Sequence, residues 1–339
     1  MPPSATSTAD SIGAPSPRLA ILALSQGGCR LGQELASKLG GDFFACKGRL
    51  AKQMGTVWKE YDQIICIMAT GIVVRTIAPL IKDKYQDPAI VVCDELGRFA
   101  ISLISGHLGG ANALAEQVAA ATGGQPVLTT ASDVLGKTAL DLWCRDRGFL
   151  VADKALFTRA MGKLVDRGVL HVWSPYPLGT LPKDLHRVEE PAQADLIIDC
   201  RAEYGTSKAL LIPKTLVVGT GCNRGTPAEL IIQVIHKSCE EHGLLPQAIA
   251  RLASIDLKQD EIGLLAAARE LGLEIDFYSK DQLNGVEEVS TSAAVLKATG
   301  AKGVAEPAAL LSAGDGAHLL VPKMKWVDAT TAIAERATL

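Results

Sequence analysis

The sequence predicts an α/β protein built as two three-layer α/β domains joined by a smaller intermediate module. Three observations carry that expectation. Short apolar runs of strand length alternate with stretches of helical periodicity over residues 18–140, and again from 215 to 339. Small and polar residues mark the breaks between them, as at Ala69-Thr70-Gly71 and Ala131-Ser132-Asp133. Between the two regions, residues 141–214 carry weaker signals and a Pro-dense stretch at 173–182.

Composition bounds the class. At 339 residues the chain exceeds one compact core, and 48% hydrophobic with 21% charged residues is ordinary for a globular protein. A formal net charge of −3 gives no general attraction to nucleic acid or to an anionic membrane surface, so an anionic ligand needs a locally basic pocket. The 8 cysteines are scattered without a C-x-x-C pair, and several sit inside apolar runs. They read as small buried hydrophobes in a reducing compartment, not as a disulfide framework or a zinc site. The 6 histidines are unpaired, which leaves no metal set. No apolar run spans a bilayer. Residues 1–17 are rich in Pro, Ser, Thr and Ala without a basic or apolar leader segment, so they read as a disordered tail. The expectation is a soluble cytoplasmic protein with neither nucleic acid nor membrane as partner.

In order, Arg18-Leu-Ala-Ile-Leu-Ala-Leu24 is a first strand, Gln26-Gly-Gly28 a break, and residues 31–39 a short helix closed by Gly40. Ile64-Ile-Cys-Ile-Met68 is a buried strand, followed by a helical run from Ile72. Ala89-Ile-Val-Val-Cys93 is another strand, ending at Asp94-Glu95, and Leu96-Gly97-Arg98 turns the chain into Phe99-Ala-Ile-Ser-Leu-Ile104. Ser105-Gly-His-Leu-Gly-Gly110 opens a helix with Leu108, Ala111, Ala115 and Val118 on its apolar face. A strand at Pro126–Thr130 closes the first domain. The middle module holds a helix at 155–165 and a strand at Leu196-Ile-Ile-Asp199. In the last domain Leu216-Val-Val218 runs into Gly219-Thr-Gly-Cys-Asn-Arg-Gly225. Thr226-Pro-Ala-Glu229 then reads as a capping box before a helix burying Ile231, Val234, Ile235 and Cys239. A strand ending at 253–258, a helix at 261–271, a strand at 274–278, a helix around 307–311 and two strands near 319–321 and 330–333 complete it.

Several of these breaks could carry chemistry. Gly219-x-Gly221-x-x-x-Gly225 misses the dinucleotide spacing by one residue and lacks the lysine of a P-loop. It is an anion cradle at a helix start, with Arg224 adding charge, or a plain strand-to-helix turn. His107, flanked by Gly106, Gly109 and Gly110, is a structural histidine or a proton-transfer group with a reference pKa of about 6.5. Asp94 and Glu95 end a strand, and adjacent strand residues point to opposite faces, so at most one faces a site there. Arg75 and Arg98 are surface charges or bidentate carboxylate clamps.

Beyond residue-level chemistry, the motifs show a resemblance. T-G-I-V-V-R-x-I-A-P-L at 70–80, D-K-x-x-D-P-A-I-V-V at 83–92, D-E-x-G-R-F at 94–99 and S-G-H-L-G-G-A-N at 105–112 resemble the cobalt-precorrin-5A hydrolase family of anaerobic cobalamin biosynthesis. V-G-T-G-C-N-R-G-T at 218–226, A-S-I-D-L-K at 253–258, G-V-A-E-P-A-A-L at 303–310 and L-V-P-K at 320–323 are similar to that family's carboxy-terminal domain, which also occurs in a protein of the aerobic pathway. The resemblance implies a cobalt-tetrapyrrole substrate carrying carboxylates and a δ-lactone. Water opens the lactone, and a two-carbon unit leaves as acetaldehyde to give cobalt-precorrin-5B. It implies no cofactor beyond the cobalt carried by the substrate, and neighbouring pathway methyltransferases as partners.

On that reading His107, Asp94 or Glu95 supplies the base, and backbone N–H groups at Gly109 and Gly110 serve the oxyanion. Thr70, Gly71, Ser105, Gly106 and Asn112 line the site. Arg75, Arg98 and Arg224 hold carboxylates, with Gly219 and Gly221 facing a cleft between the domains; Lys258 and Glu306 are weaker candidates. A histidine base predicts that His107→Ala lowers turnover by about 100-fold or more. The competing reading is a carrier of corrinoid intermediates that does no chemistry; it would tolerate loss of His107 as long as the arginines remained.

Overall fold

Leu19–Ala23 (β1) is buried at all five positions, as a strand covered on both faces of a sheet must be. The structure is a computed structural model that describes residues 17–83 and 86–339. Apart from Pro17, the expected tail lies outside the described residues. The chain divides into two units, Met1–Leu142 and Trp143–Leu339.

The first unit continues with α1 (Gln26–Leu39), β2 (Asp42–Ala45), α2 (Leu50–Glu60), β3 (Gln63–Ile67) and α3 (Thr70–Ile77). It goes on through β4 (Ala89–Cys93), β5 (Phe99–Ile104), α4 (Ala111–Thr122), β6 (Gln125–Val127), the single turn α5 (Ala131–Val134) and α6 (Leu140–Asp146), which crosses the unit boundary. The sheet order is β2-β1-β3-β4-β5-β6. Strands β1 to β4 are parallel, β5 turns back antiparallel to β4, and β6 runs parallel to β5. The carboxyl ends of β1–β4 therefore emerge at one edge of the sheet and those of β5 and β6 at the opposite edge. Leu35 of α1 and Leu114 and Val118 of α4 cover one face, against Ile21, Ile65 and Val91. Met54, Val57, Val73 and Ile77 of α2 and α3 cover the other, against Leu22, Ile64 and Val92. Three layers result.

Two helix starts differ from expectation. α1 begins at Gln26, because Ser25 Oγ accepts the Gly28 N–H at 3.0 Å and caps it. The glycines sit inside its first turns, where a Cβ on Gly32 would lie 2.5 Å from the Phe43 ring. α4 begins only at Ala111, after Gly110 at φ 87°, so Leu108 belongs to the preceding loop and not to the helix face.

In the second unit β7 (Leu150–Val151), α7 (Lys154–Arg167), β8 (Leu170–Trp173), β9 (Leu185–Arg187), β10 (Leu196–Ile198) and β11 (Ala209–Ile212) build a sheet in the order β7-β11-β10-β8-β9. All five strands are two to four residues long, too short to show a period in the sequence. Ile197, Leu210 and Ile212 join one apolar cluster with Leu216, Val218, Ile231 and Leu264, so this sheet and the last domain share a core. That domain contains β12 (Leu216–Cys222), α8 (Ala228–Glu240), β13 (Ile249–Ile255), α9 (Ile262–Leu271), β14 (Glu274–Tyr278), α10 (Lys280–Asn284), α11 (Ala293–Thr299), α12 (Ala305–Ala313), β15 (His318–Lys325) and β16 (Ala329–Glu335). Its sheet order is β14-β13-β12-β16-β15, with β12 to β14 parallel and β16 antiparallel to β12. The expected capping box at 226–229 does not form. Thr226 Oγ1 donates instead to the Asn223 carbonyl at 2.9 Å, and α8 starts without a side-chain cap.

No disulfide forms among the described residues, and six of the eight cysteines are buried. Among the described residues no helix is long and apolar enough to cross a membrane, and no His, Cys, Asp and Glu cluster is arranged to hold a metal.

Candidate active site

The first unit's sheet reverses its strand order between β1 and β3, and a crevice opens outside the carboxyl ends of strands at such a point. A cleft of about 420 Å³ lies there, lined by Ser25 after β1, Met68 to Thr70 after β3, and Asp94 and Glu95 after β4. Its walls are apolar, and Ile72, Leu96 and Phe99 are left exposed around this edge of the sheet.

The two adjacent acids do different work. Asp94 accepts from the Leu96 N–H at 3.0 Å and the Phe99 N–H at 2.9 Å, which closes the β4–β5 turn. Burial pushes its carboxyl up, but those two N–H donors and the nearby Arg98 outweigh it and hold the pKa below the ordinary carboxylate value. Glu95 instead accepts a hydrogen bond from Ser25 Oγ at the start of α1. A Cβ on Gly27 would come within 3.2 Å of the Glu95 carboxyl, so that glycine lets the carboxylate lie against the positive end of the helix. Thr70 and Gly71 open α3 at the same edge, and nothing lies within 4 Å of a Cβ built on Gly71. Arg98 is 67% exposed and 3.6 Å from Asp94, and Arg75 is exposed on α3.

The other sequence candidates are elsewhere. His107 follows β5, whose carboxyl end is at the opposite edge of the sheet, so it does not meet Asp94 or Glu95. Its Nε2 lies 3.0 Å from Asp133 Oδ2 and its Nδ1 3.1 Å from Asp141 Oδ1, with the ring 12% exposed. The Asp141 hydrogen bond, opposed by burial and supported by Asp133, raises the imidazole pKa above its usual value. At Asp141, burial is outweighed by His107 and the pKa is lowered. A ring with both nitrogens committed to carboxylates favours the imidazolium form, and neither nitrogen is turned toward a substrate. Asn112 completes the cluster, donating to Asp133 Oδ2 at 2.6 Å and accepting from Ser102 Oγ at 2.6 Å.

The glycines around His107 serve this loop. Gly110 donates its N–H to the His107 carbonyl at 2.9 Å, which removes it as an oxyanion donor. A Cβ on Gly109 would sit 2.5 Å from Ser105 Cβ, and one on Gly106 2.8 Å from Asn112 Oδ1. Ser105, at φ 58°, donates to the Asp87 carbonyl at 3.0 Å.

In the second unit Gly219 and Gly221 lie within β12, not in a turn. A Cβ on Gly219 would fall 1.8 Å from the Ala305 carbonyl oxygen, so this glycine exists to let α12 lie on the strand. Gly225 gives its N–H to Glu261 at 2.9 Å, so the protein's own carboxylate fills the expected anion cradle. Arg224 is exposed and paired with Asp260 at 2.7 Å. Glu306 is buried and accepts the Lys323 N–H at 2.8 Å and the Ser290 N–H, a structural role.

Sequence reasoning missed Ser25, Asp133 and Asp141 as members of these clusters. Ser25 was findable as a cap residue at the end of an apolar strand; nothing local pairs Asp141 with a histidine 34 positions earlier.

An apolar cleft lined by a carboxylate at the switch point of a parallel sheet is the place where α/β enzymes hold small molecules. Two family descriptions match the chain, Cobalamin synthesis G N-terminal over residues 52–133 and Cobalamin synthesis G C-terminus over residues 216–334. It is 36% identical over 296 residues to the cobalt-precorrin-5A hydrolase of Priestia megaterium, covering 81% of this chain and 79% of that one. It is 33% identical over 324 residues to the cobalt-precorrin-5A hydrolase of Salmonella typhimurium, covering 87% and 92%. The crystal structure of CobE, a protein from the cobalamin biosynthetic pathway, aligns with 35% of this chain and 89% of its own at 38% identity and a TM-score of 0.34. The chain belongs to the cobalt-precorrin-5A hydrolase family.

Proposed function

We propose that this protein is a cobalt-precorrin-5A hydrolase of anaerobic cobalamin biosynthesis. It opens the substrate's δ-lactone and releases a two-carbon unit as acetaldehyde. The observation that carries the reading is family membership along both halves of the chain.

Glu95 is the general base. It takes a proton from water, whose oxygen adds to the lactone carbonyl, while first-turn N–H groups of α3 face the developing oxyanion. Collapse breaks the acyl C–O bond, leaving a ring carboxylate and a free hydroxyl once the alkoxide is protonated. Removal of that hydroxyl proton then drives cleavage of the carbon–carbon bond. Its electron pair passes into the macrocycle, which takes up a proton, and acetaldehyde departs. Electrons balance without a redox cofactor, and the cobalt arrives with the substrate. Arg75 and Arg98 hold peripheral carboxylates at the cleft mouth. Ser25 aims Glu95, and His107 pins the far edge of the sheet. The reaction is cytoplasmic on this reading, and pathway methyltransferases supply the substrate and consume the product.

The test is anaerobic incubation with cobalt-precorrin-5A, trapping acetaldehyde and weighing the tetrapyrrole. Stoichiometric acetaldehyde is expected, with Glu95→Gln lowering turnover by about 100-fold or more. Binding without acetaldehyde would make the protein a carrier of intermediates, and full turnover by Glu95→Gln would remove Glu95 as the base.

A further inference from the structure

The second unit has a cleft of about 680 Å³ at the amino ends of β12, β13 and β14, on the seam where the middle sheet joins the last domain. This volume is in the range of small-molecule pockets. Leu150 of β7, Leu245 ahead of β13, and Leu271 and Leu273 around the end of α9 supply apolar walls. Leu150 is 42% exposed, so the fold leaves apolar surface uncovered here. Backbone bonds across the seam fix the floor. The Ala202 N–H donates to the Gly243 carbonyl at 2.9 Å, and the Leu245 N–H to the Cys200 carbonyl at 2.8 Å. The cleft is preformed.

Three ionisable side chains line these apolar walls: Lys214 ahead of β12, and His236 and Glu240 four residues apart on α8. Lys214 Nζ gives one N–H to the Ile249 carbonyl at 2.9 Å, which leaves two for a ligand. Its apolar surroundings push its pKa below the ordinary lysine value. Neither Lys214 nor Glu240 makes an ion pair among the described residues. The cleft therefore offers one cation and one anion, each without a counter-charge. Glu240 ends α8 and Leu271 ends α9, so two helix carboxyl ends add partial negative charge at this cleft. An ammonium group suits those ends, and a carboxylate suits Lys214. A ligand with only one of these charges leaves a protein charge unmatched. A phosphate or other polyanion meets Glu240 and both helix ends, and is disfavoured.

We propose that this cleft binds an aliphatic zwitterion, either an amino acid with an apolar side chain or a dipeptide of such residues. The ligand's carboxylate meets Lys214, its ammonium meets Glu240, and its aliphatic body lies on the leucines. The site rests on the geometry of the second unit alone and goes beyond the proposed function. It holds its ligand and does no chemistry.

The test is equilibrium dialysis of the full chain against radiolabelled L-leucine and, separately, L-leucyl-L-leucine at low salt. Saturable binding of at least one is expected, and the tighter of the two fixes the ligand's size. Lys214→Met keeps the apolar stem, loses the charge and should raise Kd by about tenfold. Glu240→Gln, at an exposed position, should do about the same. Lys237→Ala alters an exposed charge of α8 outside the cleft and should leave Kd unchanged. N-acetyl-leucyl-leucine and leucyl-leucine amide each lack one charge and should compete about tenfold less well. The absence of saturable binding overturns the proposal, as do Kd values within twofold of wild type for both Lys214→Met and Glu240→Gln. Equal competition by the blocked dipeptides, or an equal rise in Kd for Lys237→Ala, overturns it too. No tetrapyrrole enters the dialysis. Failure of acetaldehyde release with a Lys214-dependent Kd would sink the hydrolase reading and leave this one standing.

Discussion

Replacing His107 by Ala separates a structural histidine from a catalytic one. The ring makes two charge-assisted contacts, 3.1 Å to Asp141 and 3.0 Å to Asp133, from a side chain 12% exposed. The Asp141 contact is almost as buried as the ring, so it belongs in the range of about 1.5–3 kcal/mol. Asp133 is about a third exposed, and screening lowers its share to at most about 1 kcal/mol. Truncation should therefore cost about 3 kcal/mol, read as lost amide-exchange protection in α4, which reports on the first unit alone. The pH dependence has a definite sign. Because folding raises the imidazole pKa, its contribution is complete below the unfolded value of about 6.5 and fades as pH rises through the raised folded value. Asp141, lowered by the same contact, sets the acid limit: the contribution returns to zero as pH falls through its depressed value. The wild-type minus His107→Ala difference should be largest near pH 6 and shrink towards alkaline pH. Turnover about 100-fold lower with α4 protection unchanged would refute this reasoning and restore His107 as the base.

Ser25→Ala should weaken α1 by about 1 kcal/mol through loss of its cap. It should also lower kcat about tenfold, because Glu95 loses one charge-assisted hydrogen bond; Ser25→Thr should restore both, and equal kcat in all three proteins would dismiss Ser25 as a positioning residue. Gly219→Ala forces a Cβ to within 1.8 Å of the Ala305 carbonyl oxygen, a backbone atom that cannot swing aside. It should cost about 3 kcal/mol or more in chemical denaturation of the second unit. Gly55→Ala, inside α2 with nothing within 4 Å of the new methyl, should stabilise the first unit by about 0.5–1 kcal/mol.

The buried parallel strands were legible because a strand covered on both faces reads as an uninterrupted apolar run, as β1, β3 and β4 do. The long helices were legible through their 3.6-residue period, as in α8 with Ile231, Val234, Ile235 and Cys239 buried. The middle sheet was not: strands such as Leu150–Val151 and Leu185–Arg187 are shorter than one alternation can establish. Glycine was the main source of misplacement. Gly219 fits a ligand fingerprint and a close helix–strand crossing equally well in one dimension, and only the 1.8 Å approach of Ala305 separates them. Gly27 and Gly28 look like a break in the sequence, yet Ser25 caps a helix that starts through them.

Site assembly turned on the direction of one strand. Had β5 returned through a crossover to lie parallel to β4, the loop holding His107 would have emerged beside Asp94 and Glu95, and a single site would have drawn on all three. The tight turn at Leu96–Arg98 makes that impossible, because a connection so short joins only antiparallel neighbours. Asp94 closes this turn with its two N–H contacts to Leu96 and Phe99. One of the two acids that the sequence offers as a base is thus the one that sends the histidine to the far edge. Glu95, its neighbour, is left facing the cleft with Ser25. Loosening the turn with Asp94→Ala should therefore disturb both edges at once, lowering turnover through Glu95 and α4 protection through β5. A loss confined to turnover would mean that Asp94 acts in the cleft and not through the fold.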